Sequence, residues 1–356
     1  MTDPHPLGAR IQKRLSSALH SARFHASLRH LYGPRQRVTA PDEVVLIALV
    51  RDGAYYLDAF FKHYRRLGVA HFVFLDTGSQ DDTLAQLRQQ AGVSILQSTL
   101  PWGAYENSFR NYAAKRFARD RWCLIADMDE VFDFDGSDRI GLQGLTGYLA
   151  ANGYNGLMAQ MLEMFPKARL RDCATLSYAQ ALAQFDHYDI STIDAHDYHS
   201  AETGLAYFLR QNQAATPLPQ VLFGGIRGKV FGERCCLTKH PLVYIGDGVA
   251  PALHPHASTG LRLAPMTALI KHYKFANDSL ARDRASVAGG MIAHGEDRQR
   301  LQVLAASPDL SLWSKEAQRF DGISPLQAQG FLQVDPAYDA YLANLPQAAQ
   351  NTAAPT

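Results

Sequence analysis

Between residues 44 and 126 the apolar positions follow two alternating rhythms. Val44-Val-Leu-Ile-Ala-Leu-Val50, Phe72-Val-Phe-Leu75, Val93 to Leu96 and Trp122 to Ala126 are short, nearly uninterrupted apolar runs, the pattern of strands covered on both faces. After the first run, Leu57, Phe60, Phe61, Tyr64 and Leu67 recur at helical spacing until Gly68 stops the helix. After the second, Asp76-Thr-Gly-Ser-Gln-Asp-Asp82 supplies a turn at Gly78 and a helix cap at Ser79 or Asp81. A further helix covers roughly Glu106 to Ala118. This alternation predicts an α/β fold, a mainly parallel sheet flanked by helices. In such sheets ligands gather beyond the carboxyl ends of the strands. Asp52, Asp76 and Asp127 each follow a strand directly, so the pattern brings three acids to one edge.

The rest of the chain is less rhythmic. Residues 140 to 270 hold short apolar stretches, Gly224-Gly225 and several prolines, and read as an irregular mixed half. From Leu261 onward the reading is mainly helical, through Leu301 to Ala305 and Pro325 to Phe331. The expected organisation is a basic, helical arm at residues 1–41 and a catalytic domain at 42–275, divided into a nucleotide-binding half (42–135) and an acceptor half (136–275). A helical C-terminal segment (276–346) and a disordered tail (347–356) follow.

Composition narrows the class. A chain of 356 residues, 47% hydrophobic, can bury a full core. Its longest aliphatic run is the seven residues Val44–Val50, well short of the roughly 18 needed to span a bilayer. With no apolar leader at the N-terminus, a cytoplasmic location is expected. The four cysteines form no CxxC pair, which suits reduced thiols. Residues 1–40 carry seven basic residues against the single acid Asp3, on a body that is mildly acidic, a distribution that argues against nucleic acid as a partner. Ile11, Leu15, Ala18, Ala22 and Ala26 form an apolar stripe beside Arg10, Lys13, Arg14, Arg23 and Arg29, the pattern of an interfacial helix. That predicts peripheral contact with the inner face of a membrane, or packing on the body or on a second subunit.

The strongest chemical feature is Trp122-Cys-Leu-Ile-Ala-Asp127-Met-Asp129-Glu130, an apolar strand running into Asp-x-Asp-Glu. Two carboxylates two residues apart at a strand end can turn to one cation, and oxygen ligands suit Mn²⁺ or Mg²⁺. On an extended chain Glu130 would point the other way. The same motif also fits the Asp-x-Asp-x-Val of a haloacid-dehalogenase-like phosphatase, with Gly246-Asp-Gly248 as its downstream acidic loop, although Val249 to Ala252 lack the second acid that this mechanism needs. A nucleotidyltransferase is a further alternative, but Gly224-Gly-Ile-Arg-Gly-Lys229 is one residue short of a phosphate loop and continues in Val230. His254-Pro-His256 could be half of a zinc site, without a second pair to complete it.

Five pieces in order, Val50-Arg-Asp-Gly-Ala-Tyr-Tyr-Leu57, Phe61-Lys-His-Tyr-Arg-Arg-Leu-Gly-Val69, Phe74-Leu-Asp-Thr-Gly-Ser-Gln-Asp-Asp-Thr83, Arg110-Asn111 and Asp127-Met-Asp-Glu130, resemble the family 2 glycosyltransferases. The resemblance covers about residues 43 to 135, and more loosely on to 276. It implies a GT-A (Rossmann-like) fold and a UDP- or GDP-sugar donor. The acceptor it implies is a surface glycan or glycolipid, as in polysaccharide biosynthesis. It places Asp76 and Asp52 at the nucleotide, Arg110 near it, Asp127 at the ribose or metal and Asp129 at the metal; where relatives often carry Asn-Glu, this chain has Asp52. Phe223-Gly-Gly-Ile-Arg227-Gly-Lys229, Lys239-His-Pro-Leu242 and Ile270-Lys-His272-Tyr-Lys274 are similar to downstream segments of a bacterial subgroup. Arg227, Lys229 and Lys274 would stabilise a departing diphosphate, and His272 could add a nitrogen ligand to the metal. An inverting transfer also needs a carboxylate base, for which Glu163, Glu202, Glu233 and Asp247 are candidates, Glu163 and Asp247 the ones chosen.

Overall fold

The computed structural model describes residues 7–289 and 295–345, and of residues 7–15 the backbone alone. The first strand, β1 (Arg29–Tyr32), forms one edge of a ten-stranded sheet. β2 (Val44–Val50), β3 (Val69–Asp76), β4 (Val93–Gln97) and β5 (Trp122–Ile125) lie in the order β4-β3-β2-β5, all parallel. α2 (Leu57–Arg66) covers one face, and α4 (Trp102–Phe117) the other; α1 and α3 are Leu7–Ser27 and Thr83–Arg88. The unbroken apolar run of β2 follows from this. Val44, Leu46, Ala48 and Val50 pack with Phe60 and Tyr64 of α2, whereas Val45, Ile47 and Leu49 pack with Phe109, Ala113 and Phe117 of α4. A strand sandwiched between two helical layers has no solvent face on which to place polar residues.

β6 (Glu130–Asp133), α5 (Ser137–Ala151) and β7 (Gly156–Glu163) come next. Beyond β5 the sheet continues through the antiparallel strand Thr238–Tyr244 to β7, then to Arg262–His272 and the short Gln213–Ala214, which both run parallel to β7. The α/β expectation therefore holds, and the strand leading to Asp127 sits in the middle of a mainly parallel sheet.

The helical reading from Leu261 onward is corrected by Arg262–His272, a strand of 11 residues that is buried along almost its whole length. A continuous apolar run fits a buried helix as well as a doubly covered strand, and periodicity alone does not separate them. This strand matters most for the site. Its last four residues pair antiparallel with β6, His272 opposite Glu130, so the Asp-x-Asp-Glu segment is hydrogen-bonded to its end.

Helices Ser279–Gly289, Glu296–Ala306, Ser324–Ala328 and Pro336–Ala343 lie in the C-terminal segment, with the short strand Gln318–Arg319 between the second and third. At the other end of the chain, α1 docks on α4 through Phe24, which is buried against Phe109, and through His20, which stacks on Tyr105 with ring centroids 4.1 Å apart. Ala18, Ala22 and Ala26 of the expected stripe face solvent, and Ile11 and Leu15 have no described side chains. Among the described residues no helix is long and apolar enough to cross a membrane. The expected tail at 347–356 lies outside the described residues.

Candidate active site

The chain leaves β5 at Ile125, turns at Met128 and Asp129, and re-enters extended structure at Glu130. The alternation of a strand is lost across that turn. Asp127 and Asp129 take different partners, and Glu130 does not point away from Asp127. The amide of Asp127 donates to the Glu130 carboxylate at 3.2 Å, and both acids share the ammonium of Lys239, which lies 3.0 Å from Asp127 Oδ2 and bonds Glu130 Oε1.

The Asp127 side is a closed set of permanent charges. Arg110, 3% exposed on α4, donates to Asp127 Oδ1 at 2.8 Å and to Glu106 at 2.8 Å. Burial alone would raise the Asp127 carboxyl, but Lys239 and Arg110 outweigh it and hold the group well below the usual carboxylate range. Glu130, 3% exposed, is pushed upward by burial and by Asp127, against the pull of Lys239. His240, on the strand next to β5, is buried and lowered to about 4, because burial disfavours the imidazolium; its ring meets Tyr198 Oη and the backbone of Ser258.

The Asp129 side is built differently. Asp129 Oδ2 lies 3.5 Å from His272 Nε2, and the other ring nitrogen of His272 lies 3.0 Å from Glu163 Oε1. β7 brings Glu163 level with His272 in register, which is why the two meet. Burial would lower the imidazole, yet Glu163 and Asp129 together raise it to about 9. Asp129 in turn is held well below its usual range, burial being overcome chiefly by His272. Behind Glu163 stands Arg227, whose Nη1 is 3.4 Å from Glu163 and whose other nitrogens bond Glu233 and Glu296. Arg300 closes the series on Glu233 at 2.8 Å and on Asp283 at 2.8 Å. A cleft of about 230 Å³ opens beside the turn, lined by Met128, Tyr178, Lys271 and Tyr273 among others.

A divalent cation fits the Asp129–His272 pair. A hard carboxylate oxygen and an imidazole nitrogen are suitable donors, and the far ring nitrogen is fixed by a carboxylate, the usual support of a metal-binding histidine. Among the described residues no group of three or more His, Cys, Asp or Glu converges as a metal cage. Magnesium-type sites commonly rely on one or two protein ligands and complete their shell from substrate phosphates and water.

Several residues singled out in the sequence are placed elsewhere. Asp76 is fully buried, and its carboxylate closes its own turn by accepting from Gly78 and Ser79 amides at 3.0 Å and from Gln97 at 2.9 Å. Gly78, at φ +104°, makes that turn possible. Asp52 does reach the strand-end edge, exposed at φ +49°, and ties the two loops together by accepting from the Gln80 amide at 2.7 Å. Arg227 and Lys229 are engaged by acids, Lys229 with Asp189 at 2.7 Å. Asp247 is 92% exposed and pairs with Arg119 at 2.7 Å, which leaves it outside the cluster and removes the acidic loop that a dehalogenase-like phosphatase would require. The imidazole of His256 bonds the Thr238 carbonyl at 2.9 Å. Lys239 is the site residue that sequence reasoning undervalued, since only its two partners, distant in sequence, reveal its place.

No family model matches the sequence, and no curated protein does. Among solved structures, S. aureus TarS aligns over 36% of this chain and 24% of its own, with 16% identity and a TM-score of 0.28. The structure of TarS 1-349 aligns over 36% of this chain and 42% of its own, with 16% identity and a TM-score of 0.26. The aligned part thus spans less than half of either neighbour, and a likeness of this size carries no argument about activity.

Proposed function

We propose that this chain is a metal-dependent glycosyltransferase that moves a sugar, with inversion, from a UDP- or GDP-sugar to a hydroxyl of a glycan or glycolipid. The observation that supports it is the pairing of Asp129 with His272 at the carboxyl edge of a parallel sheet, backed by Glu163. Asp129 and His272 would hold Mn²⁺ or Mg²⁺, which would supply positive charge for the departing diphosphate. Glu163 keeps the imidazole oriented. Its carboxylate bonds His272 and faces Arg227, so it acts as a positioning residue rather than as the base. Asp127, fixed by Arg110 and Lys239, presents a rigid acceptor to the ribose. In the transfer the acceptor oxygen bonds the anomeric carbon, the carbon–oxygen bond to the diphosphate breaks, and the hydroxyl proton passes to a base. The cleft beside Met128 and Tyr178 is the route for the acceptor.

The test is to incubate the protein with a panel of nucleotide sugars, with Mn²⁺ and with a chelator, and to follow the release of free nucleotide. Metal-dependent release from one donor supports the reading. Release from none, or release indifferent to the chelator, removes it.

A further inference from the structure

Buried cations in this protein have carboxylate partners almost everywhere. Arg110 has Asp127, Lys239 has Asp127 and Glu130, Arg227 has Glu163 and Glu233, and Arg300 has Glu233 and Asp283. Lys274 and Arg282 break the pattern. Neither has a carboxylate within 4 Å among the described residues, although both are partly buried and lie within electrostatic reach of Asp129. Arg282 is held in place by neutral groups. Its Nη1 donates to Tyr56 Oη at 3.0 Å and its Nη2 to the carbonyl of Lys274, and its buried Nε has no hydrogen-bond partner. Tyr178 Oη, also within reach of Asp129, is likewise buried without a partner. Buried donors without acceptors are costly and therefore rare in folded proteins.

We propose that Arg282 joins Lys274, which the family resemblance already sets at the diphosphate, to form a phosphate-binding site beside the Asp129–His272 pair. Two cations without carboxylates, one of them a guanidinium clamped at its far end with Nε free, match the oxygens of a phosphate or diphosphate. Arg282 comes from the helix Ser279–Gly289, beyond the segment expected to contain the catalytic domain, so the C-terminal segment completes the site. The tyrosine that anchors it, Tyr56, is the cap of α2, next to the loop that carries Asp52. The idea that the phosphate belongs to a substrate rests on the glycosyltransferase reading, and two sources share the chemistry: the diphosphate of the donor and a phosphate on the acceptor.

The probe is inorganic pyrophosphate, titrated calorimetrically into the full chain at low salt in the presence of a chelator. Arg282→Gln and Lys274→Gln should each weaken binding by about tenfold to a hundredfold with unchanged melting temperature, the range expected for loss of one charge-assisted contact. Arg282→Lys should retain more affinity than Arg282→Gln, because charge is kept while the fork is lost. Pyrophosphate binding that is absent in the wild type, or equal in wild type and both Gln variants, overturns the site. Repeating the titration with UDP and with glycerol phosphate identifies the source. A loss confined to UDP assigns the donor, a loss confined to glycerol phosphate assigns the acceptor, and no loss for either overturns a substrate role. If pyrophosphate binding depends on both residues while the wild type turns over no nucleotide sugar, the site stands and the glycosyltransferase reading falls.

Discussion

Asp127 and Asp129 are two residues apart, yet their surroundings are opposite in kind. Asp127 lies between an arginine and a lysine that are charged at every physiological pH, in a pocket whose wall it shares with the buried His240. Asp129 faces a histidine that carries its charge only because two carboxylates hold it there. The first environment makes a fixed carboxylate, expensive to rearrange. The second makes an exchangeable one, since a cation can replace the His272 proton without leaving a buried charge unpaired. A motif that reads as a symmetrical pair of ligands is, in three dimensions, one acid held between two cations and one acid that faces a histidine.

The sharpest way to break that distinction is to neutralise the acids one at a time. Asp129→Asn should reduce donor turnover by about 10² to 10³ and abolish Mn²⁺ dependence, with the fold intact by circular dichroism. Glu130→Gln should leave Mn²⁺ binding near the wild-type level. If Asp129→Asn keeps normal metal-dependent turnover, the assignment of Asp129 to the metal is wrong.

The structural role of the other side is tested through its lysine. Lys239→Met leaves Glu130 buried beside Asp127 without a cation and should lower unfolding free energy by about 3 kcal/mol in a urea titration. Adding Glu130→Gln should recover most of that loss, because the stranded charge is then gone. Recovery by Asp129→Asn instead would mean that the two sides are not separate.

A smaller effect concerns the support of His272. Glu163→Gln should weaken Mn²⁺ binding by about tenfold to a hundredfold, measured by electron paramagnetic resonance without donor or acceptor. Unchanged affinity would mean that the imidazole is oriented by packing alone.

The most graded difference appears in the pH dependence of the metal-free protein. The His240 pKa is about 4 when folded, below its ordinary value, so its contribution to stability is full above about pH 6.5 and is lost as pH falls towards 4. The His272 pKa is about 9, above its ordinary value, so its contribution is full below about pH 6.5 and is lost as pH rises through 9. Urea midpoints should therefore peak near pH 6.5, with His240→Gln flattening the acid arm and His272→Gln the alkaline arm, each arm losing roughly 1 kcal/mol per pH unit. The same arm flattened by both variants would contradict the opposite environments.

How much of this was legible in the sequence depended on the range of the interactions. The runs at 44–50, 72–75, 93–96 and 122–126 declared their strands because two helical layers demand apolar residues at every position, and the edge carrying Asp52 and Asp127 followed from strand order. The strand Arg262–His272 was hidden by the same double burial, which makes a long strand look like a helix. The turn at Met128–Asp129 defeated the parity argument, so the alliance of Glu130 with Asp127 became visible only in three dimensions. Lys239 and Arg282 take their meaning from Glu130, Asp127 and Tyr56, partners far along the chain that no local pattern announces.

The alternating charges Asp129, His272, Glu163, Arg227, Glu233, Arg300 and Asp283 run without a break from the central turn to the helices Ser279–Gly289 and Glu296–Ala306. Every internal member has an opposite charge on either side, so a cut anywhere along the series exposes a buried ion to a vacant neighbour. A chain shortened after residue 275 would keep all the strands of the main sheet and still deprive Glu233 of one of its two arginines and Arg227 of Glu296. The sheet and its C-terminal helices are in this sense one cooperative unit, and heat should melt them in a single transition.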